Sequence, residues 1–408
     1  GRFLISQYPY TGDQRSFAGP GEPVHYRYNQ IEMDTQHNND HHQGDFFPDY
    51  HHGDSALQIN EGVNVLPSVN PFFVPRKRKR LLSIDEYMEG ILKGDRVVLS
   101  QAITLVESSL PEHRDMAHEL IVRCLREGRG DSSMRIGITG VPGAGKSTFI
   151  ENFGSLVTSK GHKLAVLAID PSSQKTGGSI LGDKTRMETL CKDPNAFIRP
   201  SPSAGSLGGV ARKTRESILI CETAGYDYIL VETVGVGQSE TAVHSMTDFF
   251  LLVLITGAGD GLQGIKRGIM EMSDLIAVNK ADGNNVEKAK VSSGLYKSAL
   301  QLFPPTPSGW QPTSLTCSSI ERIGLEDIYA KINEYFDLVR GNGYYSQRRH
   351  EQSMYWMYES INNAIKDSFY ENDAISVLLP EYEKAVLDGT IDSFSAAAEL
   401  LDRYASAR

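Results

Sequence analysis

Along its apolar positions the chain changes character three times. Residues 1–80, including "DTQHNNDHHQGDFFPDYHHGD" (34–54), show no period of 3.6 or 2, so a disordered, solvated tail is expected there. From "LSIDEYMEGILKGD" (82–95) to "EHRDMAHELIVRCLREGRGD" (112–131) apolar residues recur at helical spacing, with Ser83 placed as an N-cap and Gly128 as a stop. That pattern predicts two or three amphipathic helices over 81–131. Short apolar runs then alternate with helical stretches: "MRIGIT" (134–139), "KLAVLAI" (163–169), "DYILVE" (227–232), "FFLLVLI" (249–255) and "LIAVN" (275–279). The rhythm predicts an α/β domain over 132–340, a parallel sheet covered by helices on both faces. Beyond about 340 the pattern is helical only, and Met354, Met357, Ile361, Ile365 and Phe369 form one stripe. The stripe either packs on its own domain or pairs a helical arm, 341–408, with a second chain.

Composition narrows the function classes. The net charge of −10 and pI of about 5.6 provide no global basic field for nucleic acid or an anionic membrane. The longest strongly apolar run, 249–255, is far too short to cross a bilayer. Cys124, Cys191, Cys221 and Cys317 lack CxxC spacing, so neither a zinc site nor a disulfide framework is indicated, and a reducing compartment fits. Six of the eleven histidines fall in the first 80 residues, without cysteines or a repeated spacing; a metal-binding tail is the alternative to a solvated one. "RKRKR" (76–80) is read as a solvated boundary. The start at Gly1 rather than methionine leaves room for a missing targeting peptide, although the acidic residues here do not suit a transit peptide.

The chemistry begins at "GVPGAGKST" (140–148), which matches G-x-x-x-x-G-K-[ST] between an apolar strand and a helix. Gly140, Gly143 and Gly145 let the backbone turn tightly, so that N–H groups across Gly140, Val141, Pro142, Gly143, Ala144, Gly145, Lys146, Ser147 and Thr148 face phosphate oxygens, proline excepted. Lys146 is expected to reach the β and γ phosphates and Ser147 to ligate magnesium. "NKAD" (279–282) follows a strand: Asp282 can accept from guanine N1–H and its amine, Asn279 suits the N7 edge, and Lys280 can cover the base. Adenine would leave that carboxylate poorly paired, so GTP is the expected ligand. Ser318, Ser319 and Ile320, in and after "CSS" (317–319), should present backbone N–H groups to the other face of guanine.

"VETVGVGQSE" (231–240) and "IDPSSQKTGGSILGDKTRM" (169–187) supply carboxylates. Asp170 and Glu232 end predicted strands, Asp170's placed beside the P-loop, and Asp183 lies in a glycine-rich segment; together with Ser147 these three are the expected Mg2+ ligands. Val236 cannot orient a water as a glutamine would, so hydrolysis alone should be slow and await a partner.

With "RPSPSAGSLGGVARKTRE" (199–216), "ETVGVGQSE" and "GAGDGLQGIKRGI" (257–269), these stretches resemble the bacterial MeaB and animal methylmalonic aciduria type A proteins over about residues 82–408. The resemblance implies a P-loop GTPase that gates adenosylcobalamin delivery to methylmalonyl-CoA mutase and protects that enzyme. It also implies homodimerisation through the C-terminal arm and, in animals, the mitochondrial matrix. The lysine matching Lys266 belongs, in that family, to a mobile switch coupling client binding to hydrolysis, which places Lys266 beside Lys146, Asp183 and Glu232 among the catalytic candidates. Gly261 stands where the family has a glutamate. Two other readings are a nickel-loading metallochaperone GTPase with a His-rich tail, and a kinase of an amino-acid-binding protein.

Overall fold

The computed structural model describes residues 80–108, 110–170, 187–202, 207–233, 239–256 and 267–406. Asp183, Lys266, Val236, Gly261 and all of the expected tail but Arg80 lie outside them.

Seven strands form one sheet: β1 Met134–Gly140, β2 Leu164–Asp170, β3 Ala196–Pro202, β4 Tyr228–Thr233, β5 Phe249–Ile255, β6 Leu275–Asn279 and β7 Thr313–Thr316. Their order is β3-β2-β4-β1-β5-β6-β7, every pair parallel. The five strands expected from apolar runs are the inner ones, buried from both faces, and β2, β4, β5 and β6 are accordingly dominated by apolar residues, while β1 carries Gly137 and Gly140 where neighbours approach closely. The two that apolar patterning missed are the edges. Strand β3, "AFIRPSP", contains two prolines and pairs only with β2; β7, "TSLT", is four residues long and pairs only with β6. An edge strand has one unpaired side, so it tolerates proline and short polar sequences.

The described helices are α1 Ile84–Leu92, α2 Arg96–Glu107, α3 Pro111–Glu127, α4 Lys146–Ser159, α5 Glu188–Lys192, α6 Leu207–Thr223 and α7 Ser239–His244. After them come α8 Arg267–Glu271, α9 Val286–Leu300, α10 Leu325–Gly341, α11 Tyr344–Tyr370, α12 Asp373–Leu387 and α13 Ser393–Ser406. Ser83 caps α1 in a capping box with Glu86, a device that stabilises a helix by about 1 kcal/mol, and Gly128 ends α3 in the left-handed conformation. Helices α1–α3 bury Tyr87, Ile91, Leu99, Ile103 and Leu120 in a core shared with α6 and one face of the sheet. Helices α4 and α10 cover the other face, where Phe149, Phe153, Ile328 and Phe336 pack. None of the helices in the described residues is long and apolar enough to cross a membrane.

Helix α11 starts inside this body and then leaves it. Tyr345, Gln352 and Trp356 are buried, yet the predicted stripe points elsewhere: Met354, Met357, Ile361 and Ile365 are 44–57% exposed. Of the stripe, Phe369 alone turns inward, its ring 5.3 Å from that of Tyr404 on α13. The other four are therefore left about half uncovered among the described residues.

Candidate functional site: a nucleotide-binding edge

The P-loop connects the middle strand of the sheet to α4. Gly140 must lack a side chain, because a Cβ there would stand 2.1 Å from the Val253 carbonyl oxygen on β5. Gly145 has φ +84° and would place a Cβ 2.9 Å from Asn279 Nδ2. No side chain caps the first turn of α4, which leaves the N–H groups after Gly145 to an anion and adds the positive end of the helix dipole. Lys146 folds back over the loop and donates to the carbonyls of Gly140 (2.9 Å) and Val141 (3.4 Å). Burial lowers its pKa, and the nearby carboxylates of Glu232 and Glu240 partly offset this. A partly desolvated ammonium bonded to loop carbonyls among the described residues can be recruited by phosphate at little structural cost.

Beside it, β4 delivers Glu232, which pairs in register with Ile138 and is 7% exposed. Ser147 donates to Glu232 Oε1 at 3.4 Å, so the hydroxyl and carboxylate expected to share a metal do meet. Both are hard oxygen donors of the kind Mg2+ takes. Thr233 donates to Thr139 at 2.9 Å, fixing the end of β4 against β1. Asp170 ends β2, which is separated from β1 by β4, so its strand is not beside the P-loop as expected. The side chain of Asp170 and all of Asp183 lie outside the described residues, within which no group of three or more metal-binding side chains forms.

The base-recognition residues are tied to the P-loop by bonds that motif reading did not foresee. Asn279 Nδ2 donates to the Ala144 carbonyl at 2.8 Å, while its Oδ1 accepts from the Ser319 N–H (3.0 Å) and hydroxyl (2.8 Å). Asn279 is thus a strut between the phosphate and base loops as well as a candidate for the N7 edge. Asp282 Oδ2 accepts from Ser318 Oγ at 2.6 Å, which aims the carboxylate. Ser318 and Ser319 act here through side chains, in addition to the backbone role expected of them. The signal was present in the two adjacent hydroxyls, but their partners lie 36 and 40 positions away along the chain. Lys280 adopts φ +59°, unusual for a residue with a Cβ, and its Cε would lie 3.9 Å from a Cβ on Gly145. Ile320 is 76% exposed beside this loop.

Comparison with known proteins agrees with this geometry. A family model described as "Methylmalonyl Co-A mutase-associated GTPase MeaB" matches residues 99–374. The mitochondrial methylmalonic aciduria type A homolog of Mus musculus is 43% identical over 331 residues, 79% of this chain and 80% of that protein. GTPase ArgK of Escherichia coli is 42% identical over 318 residues, 78% of this chain and 96% of its own length. The crystal structure of an LAO/AO transport system kinase superposes with a TM-score of 0.62 at 35% identity, covering 79% of this chain and 99% of that one. A central P-loop strand, a guanine-type base loop braced to it, and these relatives together place the chain in the MeaB family of P-loop GTPases.

Proposed function

We propose that the chain is a GTP-hydrolysing switch that serves an adenosylcobalamin-dependent methylmalonyl-CoA mutase, gating cofactor delivery and protecting the enzyme. The observation that carries the reading is the brace between the two loops: Asn279 bonds Ala144 while Ser318 aims Asp282, so base and phosphates are recognised by one rigid unit. In use, the amide groups of the loop and Lys146 hold the phosphates, and Asp282 holds guanine. Ser147 and Glu232 would hold Mg2+, which when bound supplies positive charge against the phosphate oxygens. Asp170, Asp183 and Lys266 belong to the same proposal as further metal and switch residues. With Val236 unable to orient water, turnover is slow until a partner completes the site.

The exposed stripe on α11 supports a homodimer through the C-terminal arm, since four large apolar side chains there remain about half exposed among the described residues. A mitochondrial address, the word carried in the names of the mouse and nematode relatives, is part of the proposal. Titrating methylmalonyl-CoA mutase into the protein, while following complex formation and GTP turnover, tests partner and switch together. Binding with accelerated turnover is expected; no complex in any nucleotide state would remove the mutase from the reading. The kinase name carried by one solved relative gives the second reading, and following the γ-phosphate separates the two: released as inorganic phosphate for a GTPase, found on protein for a kinase.

A further inference from the structure

Helix α7 joins two parts of the molecule that motif reading keeps apart. It follows Glu232 across residues 234–238, and its first turn carries Glu240, 3% exposed and close enough to influence Lys146. Its middle is pressed onto β1: Val243 sits where a Cβ on Gly137 would come within 2.9 Å of it. Its last residue, His244, and the turn that follows, 245–247, are held from outside by side chains four residues apart on α11. Arg348 donates to the His244 carbonyl at 3.3 Å, to His244 Nε2 at 3.2 Å and to the Thr247 carbonyl at 3.2 Å. Gln352 donates to the Thr247 carbonyl at 2.8 Å, and the Trp356 indole N–H to the Ser245 carbonyl at 3.3 Å. The carbonyls of Thr241, Ala242 and Val243 find donors within 245–247, whereas the His244 carbonyl accepts from Arg348, so α11 supplies the part of this end that the local turn does not.

We propose that Arg348, Gln352 and Trp356 are positioning residues for GTP hydrolysis: by holding the end of α7 they set the placement of Glu240 on that helix. The proposal rests on the GTPase reading above. Gln352 is the least satisfied member of the contact, its buried Oε1 having no hydrogen-bond partner among the described residues. A buried acceptor left unpaired raises the free energy of the arrangement that contains it. The exposed stripe lies on the same helix as the clamp.

The test uses the full chain carrying Gln352→Met, Trp356→Phe, Arg348→Met or Arg348→Lys, with kcat and KM for GTP measured beside the Kd for GDP. Removing a clamp donor is expected to lower kcat roughly 10-fold, since small displacements near reacting groups have effects of that size or larger. GDP affinity should stay within about twofold, because Lys146, Asn279 and Asp282 are untouched. Arg348→Lys should recover part of the loss by returning a cationic donor to the carbonyls. A purely structural role would lower thermal stability and leave kcat unchanged in the folded protein, and that result overturns the proposal. So does a parallel fall in kcat and GDP affinity. If Arg348→Met does not fold, Gln352→Met decides, since it conserves volume and deletes the orphan acceptor. Ser147→Ala is the control: turnover surviving it defeats the GTPase site itself, whereas turnover lost there but intact in Gln352→Met defeats only the clamp.

Discussion

At the start of β1, Arg135 pairs with both oxygens of Glu222 at 2.7 and 2.8 Å, and Arg349 with both oxygens of Asp248 at 2.9 and 2.7 Å. Arg349 also reaches Glu222 at 3.4 Å and lies 4.7 Å above the ring of Tyr345. At the other end of the same strand, Lys146 is held by two backbone carbonyls, and Ser147 touches Glu232 at 3.4 Å. The first end spends its charges on one another and ties α11 to the sheet. The second keeps its charges on temporary partners, which ligand can replace. The contrast shows how a single strand can be anchored at one end and responsive at the other.

The sharpest way to break this contrast is Glu222→Ala, which would leave Arg135 without its bidentate partner in a buried site. A loss of roughly 3–5 kcal/mol in urea unfolding is expected, with GDP affinity retained by the folded fraction. A loss under about 1 kcal/mol would mean that the network is not the anchor. Lys146→Met is the counterpart at the responsive end. GTP turnover should fall on the order of 10²–10³-fold, as when one charge-stabilising donor is removed. Stability should hold or rise, because burial already disfavours the charged lysine and methionine keeps the stem. Destabilisation equal to that of Glu222→Ala would erase the distinction between the ends.

Asp282→Asn sharpens the responsive side. It should weaken GTP binding by roughly 10²-fold and improve XTP binding, since the asparagine amide can donate to the xanthine C2 oxygen. Ser318→Ala should cost GTP about 10-fold by freeing the carboxylate, with preference over XTP preserved; competition binding of the two nucleotides reads both.

The smallest effect is in pH dependence. Burial, with Arg348 adding to it, holds His244 at a pKa of about 3, below the ordinary 6.5, so the folded chain refuses a proton that the unfolded chain takes. Its contribution to stability is complete above about pH 6.5 and is withdrawn as pH falls toward 3. His244→Gln should move the acid-unfolding midpoint downward by less than about one pH unit. A midpoint that moves upward would show that His244 is not a source of acid sensitivity.

The chain is most legible where a function is built from neighbours in sequence. The turn at 140–148 is legible because its glycines, lysine and serine act within one loop and one helix turn. The inner strands are legible because burial on both faces demands continuous apolar residues. The edge strands β3 and β7 were not, since with one side unpaired they need no such signal. The C-terminal stripe announced an apolar face but could not say what lies against it.

The sequence by itself therefore determined the parallel α/β body, the phosphate loop and the choice of guanine, each being a property of local spacing and side-chain chemistry. Only the tertiary structure decided that Asn279 braces Ala144, that Ser318 aims Asp282, and that α11 grips the end of α7 through Arg348, Gln352 and Trp356. Those bonds join residues 36 to 135 positions apart. No periodicity records them, because a hydrogen bond is set by where two elements meet in space, and that meeting is fixed by the packing of the whole sheet and its helices.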